Sequence, residues 1–281
     1  MRIAIFGAGG LGGYYGLRLL EAGQEVVFVA RGAHKEAIEN DGFKLLSPLG
    51  DLHVRDVQVT DDPATIGPQD AVLVAVKTWQ IPTVAESIGT MLHPETIVVP
   101  FLNGVEAPRQ LDALLGGGHA AAGLSKIFSL IEAPGVIRHI NDAAYVAIGE
   151  LDGRRSERIV ALGDAFRDAG VEVELPADMT QALWEKLITV TSWSGMGALA
   201  RSPIGVMRAD PELRQLIDRA MDETIAVAAA EGVTIGSEFK TTLWSFYDAL
   251  PDGATASLMR DIMEGRPSEL DAWSEIGRAH V

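Results

Sequence analysis

The feature that most limits what this chain can become is Gly7-Ala8-Gly9-Gly10-Leu11-Gly12, lying between an apolar run and a helical pattern at the amino terminus. Ile3-Ala4-Ile5-Phe6 precedes it. Leu11 to Ala22 follows, with Leu17, Leu19 and Leu20 inside and Gly23 as a stop. The spacing predicts a strand, a tight turn and a helix. Gly7 permits the turn, Gly9 lets backbone approach a pyrophosphate, and Gly12 allows close helix–strand packing. The helix amino terminus offers free N–H groups and a partial positive charge to that anion. Gly7, Ala8, Gly9, Gly10, Leu11 and Gly12 are therefore candidate dinucleotide-binding residues. The plain structural alternative is a packing turn. A P-loop is excluded, because no Gly-Lys-Ser/Thr follows.

Three further runs, Val26 to Val29, Ala71 to Val76 and Thr96 to Phe101, are continuously apolar or β-branched and bounded by Gly, Pro or Asp. Continuous rather than alternating hydrophobicity suits strands buried on both faces of a parallel sheet. The first two strands and the helix between them form a βαβ unit, whose crossover should be right-handed. Phe43 to Val59 alternates and contains Pro48 and Gly50, which predicts a hairpin. Ala120 to Gly149 also has strand character, with a turn near Ala133-Pro134-Gly135. Beyond about Pro176 the texture changes. Asp178 to Ala200, Pro211 to Glu231, Ser237 to Leu250 and Ser257 to Gly265 read as helices. The expected fold class is α/β: a doubly wound sheet over residues 1–176, then an all-helical domain over 177–281.

Cofactor choice is read at the end of the second strand, where an Asp or Glu would bind the ribose 2′-hydroxyl of NAD. Here Val29-Ala30 runs into Arg31-Gly32 with no acid at the tip. A guanidinium can clamp a 2′-phosphate in two hydrogen bonds and stack on adenine, so NADP(H) is the expected cofactor. A lone Arg31 as a solvated loop cation is the competing reading.

A formal net charge of −16 argues against a nucleic-acid or anionic-membrane surface, so any anionic ligand must be held by a local set of donors. The absence of cysteine excludes a disulfide scaffold, thiolate nucleophiles and thiolate metal ligands. No two histidines stand at ligand spacing, so no metal is expected, and all six histidines are read as surface or packing residues. No apolar run approaches the roughly 20 residues of a membrane span. Met1-Arg2 and the apolar start imitate a signal peptide, but glycines interrupt it at once. The expected location is cytoplasmic.

Further landmarks stand in order. Val76-Lys77-Thr78-Trp79-Gln80 follows one buried run and Leu102-Asn103-Gly104 the next, and Gly149-Glu150 comes after them. Trp184-Glu185-Lys186-Leu187 and Gly265-Arg266-Pro267-Ser268-Glu269-Leu270-Asp271 lie in the helical half. With the glycine motif and Arg31, this series resembles the ketopantoate reductase (2-dehydropantoate 2-reductase) family from Met1 to about Trp273. The resemblance implies a Rossmann-type domain, a helical substrate domain, an active site in the cleft between them, and NADPH-dependent reduction of 2-dehydropantoate. By match of motif, Lys186 is the general acid. Lys77, Gln80 and Asn103 line cofactor and cleft, and Ser257 and Glu269 contact substrate or cofactor. Such roles suit the chemistry, since hydride arriving at a ketone carbon leaves charge on oxygen that a proton-giving cation can meet.

Each has a bland counterpart: a solvated helix lysine for Lys186, a turn for Asn103-Gly104, a helix cap for Ser257, a solvated carboxylate for Glu269. Trp184 and Trp193 read as core or cleft wall. The chain also departs from the family. Val190 and Ser194 stand where substrate-holding asparagines are expected on the lysine helix, and Ile204 stands where another often occurs. Ser194 remains a candidate substrate contact. An apolar replacement forfeits discrimination for a hydroxyl, so a 2-oxo acid more apolar than ketopantoate, or of another shape, is expected. The tail from Glu275 to Val281 matches nothing in the family and resembles translated sequencing adapter, which suggests a truncated reading frame. A 3-hydroxy acid or imine oxidoreductase of the same architecture, or a regulatory dinucleotide binder without catalysis, are the alternatives. A homodimer is compatible with all of these.

Overall fold

Each apolar run that the sequence marks as a buried strand takes its place in a parallel sheet. The computed structural model describes residues 1–278. Within them lie two units, Met1–Leu102 with Glu106–Met179, and Asn103–Val105 with the chain from Thr180 onward. The first contains β1 (Arg2–Phe6), α1 (Gly10–Glu21), β2 (Glu25–Val29), α2 (Gly32–Asp41), β3 (Phe43–Leu46), β4 (Leu52–Val54) and β5 (Gln58–Thr60). There follow β6 (Ala71–Val74), α3 (Ile81–Ile88), β7 (Ile97–Pro100), α4 (Ala107–Leu114), β8 (Ala121–Lys126) and β9 (Ser129–Ala133). The unit closes with β10 (Val136–His139), β11 (Tyr145–Glu150), α5 (Glu157–Asp168) and β12 (Glu172–Glu174).

The central sheet has the order β5-β2-β1-β6-β7, and every pair is parallel. In β1, Ile3 and Ile5 enter one apolar core while Ala4 and Phe6 enter the other, as burial on both faces requires. Strand order reverses beside β1, with β2 on one side and β6 on the other. Open α/β sheets bind ligands beyond the carboxyl ends of their strands at such a point. Helix α1 packs close because Gly16 has no side chain; a Cβ there would lie 2.3 Å from the Phe28 ring.

The predicted Phe43–Val59 hairpin is shorter than its pattern. β3 and β4 pair antiparallel in a small sheet of order β4-β3-β10-β9. Gln58–Thr60 instead joins the central sheet in parallel with β2. A third sheet, β12-β11-β8, ends at a buried ion pair. Glu150 is 4% exposed, and both its oxygens accept from the Arg158 guanidinium at 2.7 Å, one of them also from Ser156 Oγ at 2.6 Å. Burial alone would raise the Glu150 pKa, but the Arg158 and Ser156 hydrogen bonds outweigh it and hold the carboxyl below its ordinary value. A depressed carboxyl pKa contributes stability that is present above the unfolded value and lost as pH falls through the folded one. Wild type should therefore lose stability below about pH 4.5. Arg158→Leu should cost about 3–5 kcal/mol at neutral pH, measured by urea unfolding, because it strands a buried charge.

The second unit is helical: α6 (Met179–Val190, its first residue in the first unit), α7 (Met196–Ala200), α8 (Ile204–Ala209), α9 (Pro211–Ala230), α10 (Phe239–Ala249), α11 (Ser257–Met263) and α12 (Leu270–Arg278). Trp184, Leu187, Ala228, Leu258 and Trp273 form a core within it. The long helix expected over Asp178–Ala200 is interrupted by a π turn at Thr191–Gly195. Side-chain hydroxyls accompany the widened turn. Thr191 Oγ1 donates to the Leu187 carbonyl at 2.9 Å, Ser192 Oγ to Ile188 at 2.6 Å and Tyr247 Oη to Thr189 at 2.8 Å. They satisfy carbonyls around the change of helical register. Among the described residues, no helix is long and apolar enough to cross a membrane. Ala279, His280 and Val281, the end of the tail noted above, lie outside the described residues.

Candidate functional site

The glycine-rich turn separates into positions the fold requires and one it does not. Gly7 has φ +96°, and a Cβ there would sit 2.6 Å from the Ala75 carbonyl oxygen. At Gly12 a Cβ would fall 2.1 Å from the Gly7 oxygen, and at Gly10 it would fall 2.6 Å from the Ser129 oxygen. At Gly9 the nearest atom would be Ile131 Cδ1, at 4.0 Å. Internal packing thus explains three of the glycines, while the fourth leaves backbone open to an approaching group. No side chain caps α1 at Gly9, and no acid stands in its first turn. Free N–H donors, helix dipole and open backbone fit a pyrophosphate. Ala8 and Leu11 complete the turn, Ala8 buried and Leu11 packed on the sheet core.

Arg31 lies two residues beyond β2, exposed, as the amino-terminal flanking residue of α2, and makes no ion pair among the described residues. Lys77 lies three residues beyond β6, half-buried. Its backbone N–H donates to Gln80 Oε1 at 3.1 Å, while the Gln80 N–H donates to the Lys77 carbonyl at 2.9 Å. The oxygen of the Gln80 side chain therefore holds the turn in shape, leaving its amino group for any ligand. The turn at Gly7 packs against Ala75 and Val76, so the structure brings the glycine turn and the approach to Lys77 together.

In the helical unit, Asn103 and Gly104 follow β7. Gly104 has φ +102°, and a Cβ there would lie 3.9 Å from Trp273 Cδ1. The Asn103 amide makes no hydrogen bond among the described residues. Lys186 is half-buried on α6, next to Leu187 of the core, and Val190 packs on that same core. Ser194 is 2% exposed inside the π turn and its hydroxyl has no partner among the described residues. Glu269 is 7% exposed, and its carbonyl accepts the Trp273 N–H at 3.2 Å. Ser257 is the first residue of α11 and exposed; Ala256 precedes it as the flanking residue, so Ser257 is not a cap. Ile204 is fully buried, and Trp184 and Trp193 are packing residues.

Two features escape a reading by motif. The π turn offsets the helical faces before and after it, so Ser194 does not stay in α-helical register with Lys186. The hydroxyl-rich Thr189-Val190-Thr191-Ser192 stretch is its only sequence signal. His34 is the other. It is neither surface nor mere packing, because both ring nitrogens are engaged, Nε2 with the Ala8 carbonyl at 2.8 Å and Nδ1 with the Gly135 N–H at 3.1 Å.

Two family models match the chain, "Ketopantoate reductase PanE/ApbA" over residues 3–153 and its C-terminal counterpart over residues 178–275. The chain belongs to the ketopantoate reductase family. A 2-dehydropantoate 2-reductase of Mesorhizobium japonicum is 31% identical, covering 99% of this chain and 92% of its own length. The crystal structure of 2-dehydropantoate 2-reductase from Geobacter metallireducens GS-15 is similar with TM-score 0.93 and 33% identity, over 99% of this chain and 92% of that one. A PanE/ApbA family ketopantoate reductase from Ralstonia eutropha JMP134 is similar with TM-score 0.89 and 30% identity, over 99% and 92%. As a ketopantoate reductase family member the chain is a dinucleotide-dependent oxidoreductase, with the parallel sheet and helical carboxyl-terminal domain of its relatives.

Proposed function

We propose that this protein reduces a 2-oxo acid to the 2-hydroxy acid with NADPH, the substrate being 2-dehydropantoate or a close analogue. The observation that carries the reading is the glycine turn, in which Gly9 alone leaves backbone open while an uncapped helix terminus stands behind it. NADPH rather than NADH is supported by Arg31, exposed and without an ion pair among the described residues at an acid-free strand tip. The 2-oxo acid class is supported by the relatives named 2-dehydropantoate 2-reductase.

Gly7, Ala8, Gly9, Gly10, Leu11 and Gly12 would hold the pyrophosphate, and Arg31 the 2′-phosphate. Lys77 and Gln80, beyond β6, would border the cofactor, with Asn103 and Glu269 as further contacts. The cofactor, when bound, supplies hydride to the ketone carbon. Lys186 gives a proton to the carbonyl oxygen as charge develops there. Asn103, Ser194, Ser257 and Glu269 would hold the substrate's polar groups. Val190 and Ile204 offer no hydrogen bond, which favours an oxo acid less hydroxylated than ketopantoate.

The test is NADPH oxidation across a panel of 2-oxo acids that includes ketopantoate. Turnover of the panel with kcat/KM highest for a less polar member is the expected outcome. A large preference for ketopantoate would remove the altered-pocket reading, and no turnover of any member would remove the function. In the same assay Arg31→Ala should raise KM for NADPH about tenfold to a hundredfold, as loss of a charge-assisted pair implies. KM for NADH should barely move; equal effects on both would contradict the cofactor assignment.

A further inference from the structure

The β9–β10 hairpin wraps the glycine turn. Ser129 lies against Gly10, Ile137 against Gly13, and a Cβ at Gly9 would lie 4.0 Å from Ile131 Cδ1. One side chain ties the assembly together from a third element. His34, on the first turn of α2, sets its ring edge-on to Phe43 of β3, with centroids 5.5 Å apart at 83°. The Gly135 N–H can only donate, so Nδ1 must accept, and Nε2 must then carry the hydrogen that reaches the Ala8 carbonyl. Only the neutral Nε2–H tautomer satisfies both contacts. A protonated ring would set N–H against N–H at Gly135.

We propose that His34 is a positioning residue for the cofactor turn, which its neutral ring clamps to the β9–β10 turn, so that protonation of His34 weakens dinucleotide binding. The inference rests on the dinucleotide reading of the turn. Burial lowers the His34 pKa, while the Ala8 hydrogen bond works in the opposite direction. The charged and titratable groups on the surrounding elements are Arg31 just before α2, Lys35, Glu36, Glu39 and Asp41 on α2, Lys44 on β3, and Glu132, Arg138 and His139 on the hairpin. Lys35 pairs with Glu39 and Asp61, and Arg138 with Glu132. None of them is among the causes of the shift; the glycine turn itself carries no charge. Because the pKa is depressed, the clamp is fully formed above the ordinary histidine value of 6.5 and is lost as pH falls through the lower, folded value.

The experiment is a fluorescence titration of the whole protein with NADH and, separately, NADPH between about pH 7.5 and about pH 5.5. NADH is needed because a 2′-phosphate itself titrates near this range. Wild type should bind NADH about threefold or more weakly at the acid end, where protonation forfeits one contact. His34→Phe, which keeps the ring but neither hydrogen bond, should bind about tenfold more weakly at neutral pH and lose the acid dependence, with kcat little changed at saturating cofactor. His34→Gln offers one donor and one acceptor and does not titrate. It should bind near the wild-type level at neutral pH and stay flat with pH. An acid fall in NADH binding that persists in His34→Gln would overturn the proposal even if His34→Phe fails to fold. A flat wild-type profile would do the same. Absence of any NADH or NADPH binding by wild type would sink the dinucleotide reading beneath it, a separate and recognisable failure.

Discussion

Lys186→Ala is expected to lower kcat for 2-oxo acid reduction by about a thousandfold, with the dissociation constant for NADPH within about twofold of wild type. General acids contribute roughly 10²–10⁴, and an alkoxide forming without a nearby cation loses electrostatic stabilisation as well. The position suits the role. Lys186 is half-buried on α6, fixed by Trp184 and Leu187, which sit in the helical core on either side of it in sequence. A side chain on an anchored helix is better placed than one on a loop to meet a carbonyl reproducibly. Lys186→Arg separates the two contributions, because a guanidinium keeps the charge but does not release its proton. Slow turnover by both variants supports proton donation. Recovery by arginine would reduce the lysine to a charge, and fast turnover by alanine would remove it from the mechanism.

The second large effect contrasts two glycines three residues apart. Gly12→Ala should destabilise the protein by about 3 kcal/mol, as overpacking against rigid backbone does, since its Cβ would meet the Gly7 oxygen at 2.1 Å. Gly9→Ala should leave the melting temperature unchanged, because nothing lies within ordinary contact of its Cβ position except Ile131 Cδ1 at 4.0 Å. Its cost should appear in ligand binding instead. Keeping a pyrophosphate from the N–H groups of α1 should weaken NADPH by about tenfold to a hundredfold. Thermal denaturation and cofactor titration on the two variants check both halves. If Gly9→Ala binds normally, the motif is a packing turn and the cofactor reading falls.

Much of the first unit was legible without coordinates. Ile3–Phe6, Val26–Val29, Ala71–Val76 and Thr96–Phe101 are apolar without interruption, and each contains or nearly coincides with a strand of the parallel sheet. A strand covered on both faces has no polar side to alternate with, so its pattern is hard to mistake. Gln58–Thr60 was less legible, since three residues carry little periodicity and pairing with β2 depends on a free neighbouring edge. The π turn was harder again. Thr and Ser in a helix do not announce whether their hydroxyls will take carbonyls from the turn before, and Tyr247, which completes the arrangement, comes 55 residues after Ser192.

Motif and order alone selected Gly7 to Gly12, Arg31, Lys77, Asn103, Lys186 and Glu269 as candidates, because local spacing encodes a strand–turn–helix and a run of short landmarks. Which glycine is needed for packing and which stands open could be decided only in three dimensions, for the atoms that answer it belong to Ala75, Ser129 and Ile131. His34 makes the same point more sharply. By sequence it is one histidine among six; its two partners, at Ala8 and Gly135, are brought to it from elements 26 and 101 residues away. Hydrogen bonds depend on distance in space, and a linear chain records distance only along itself.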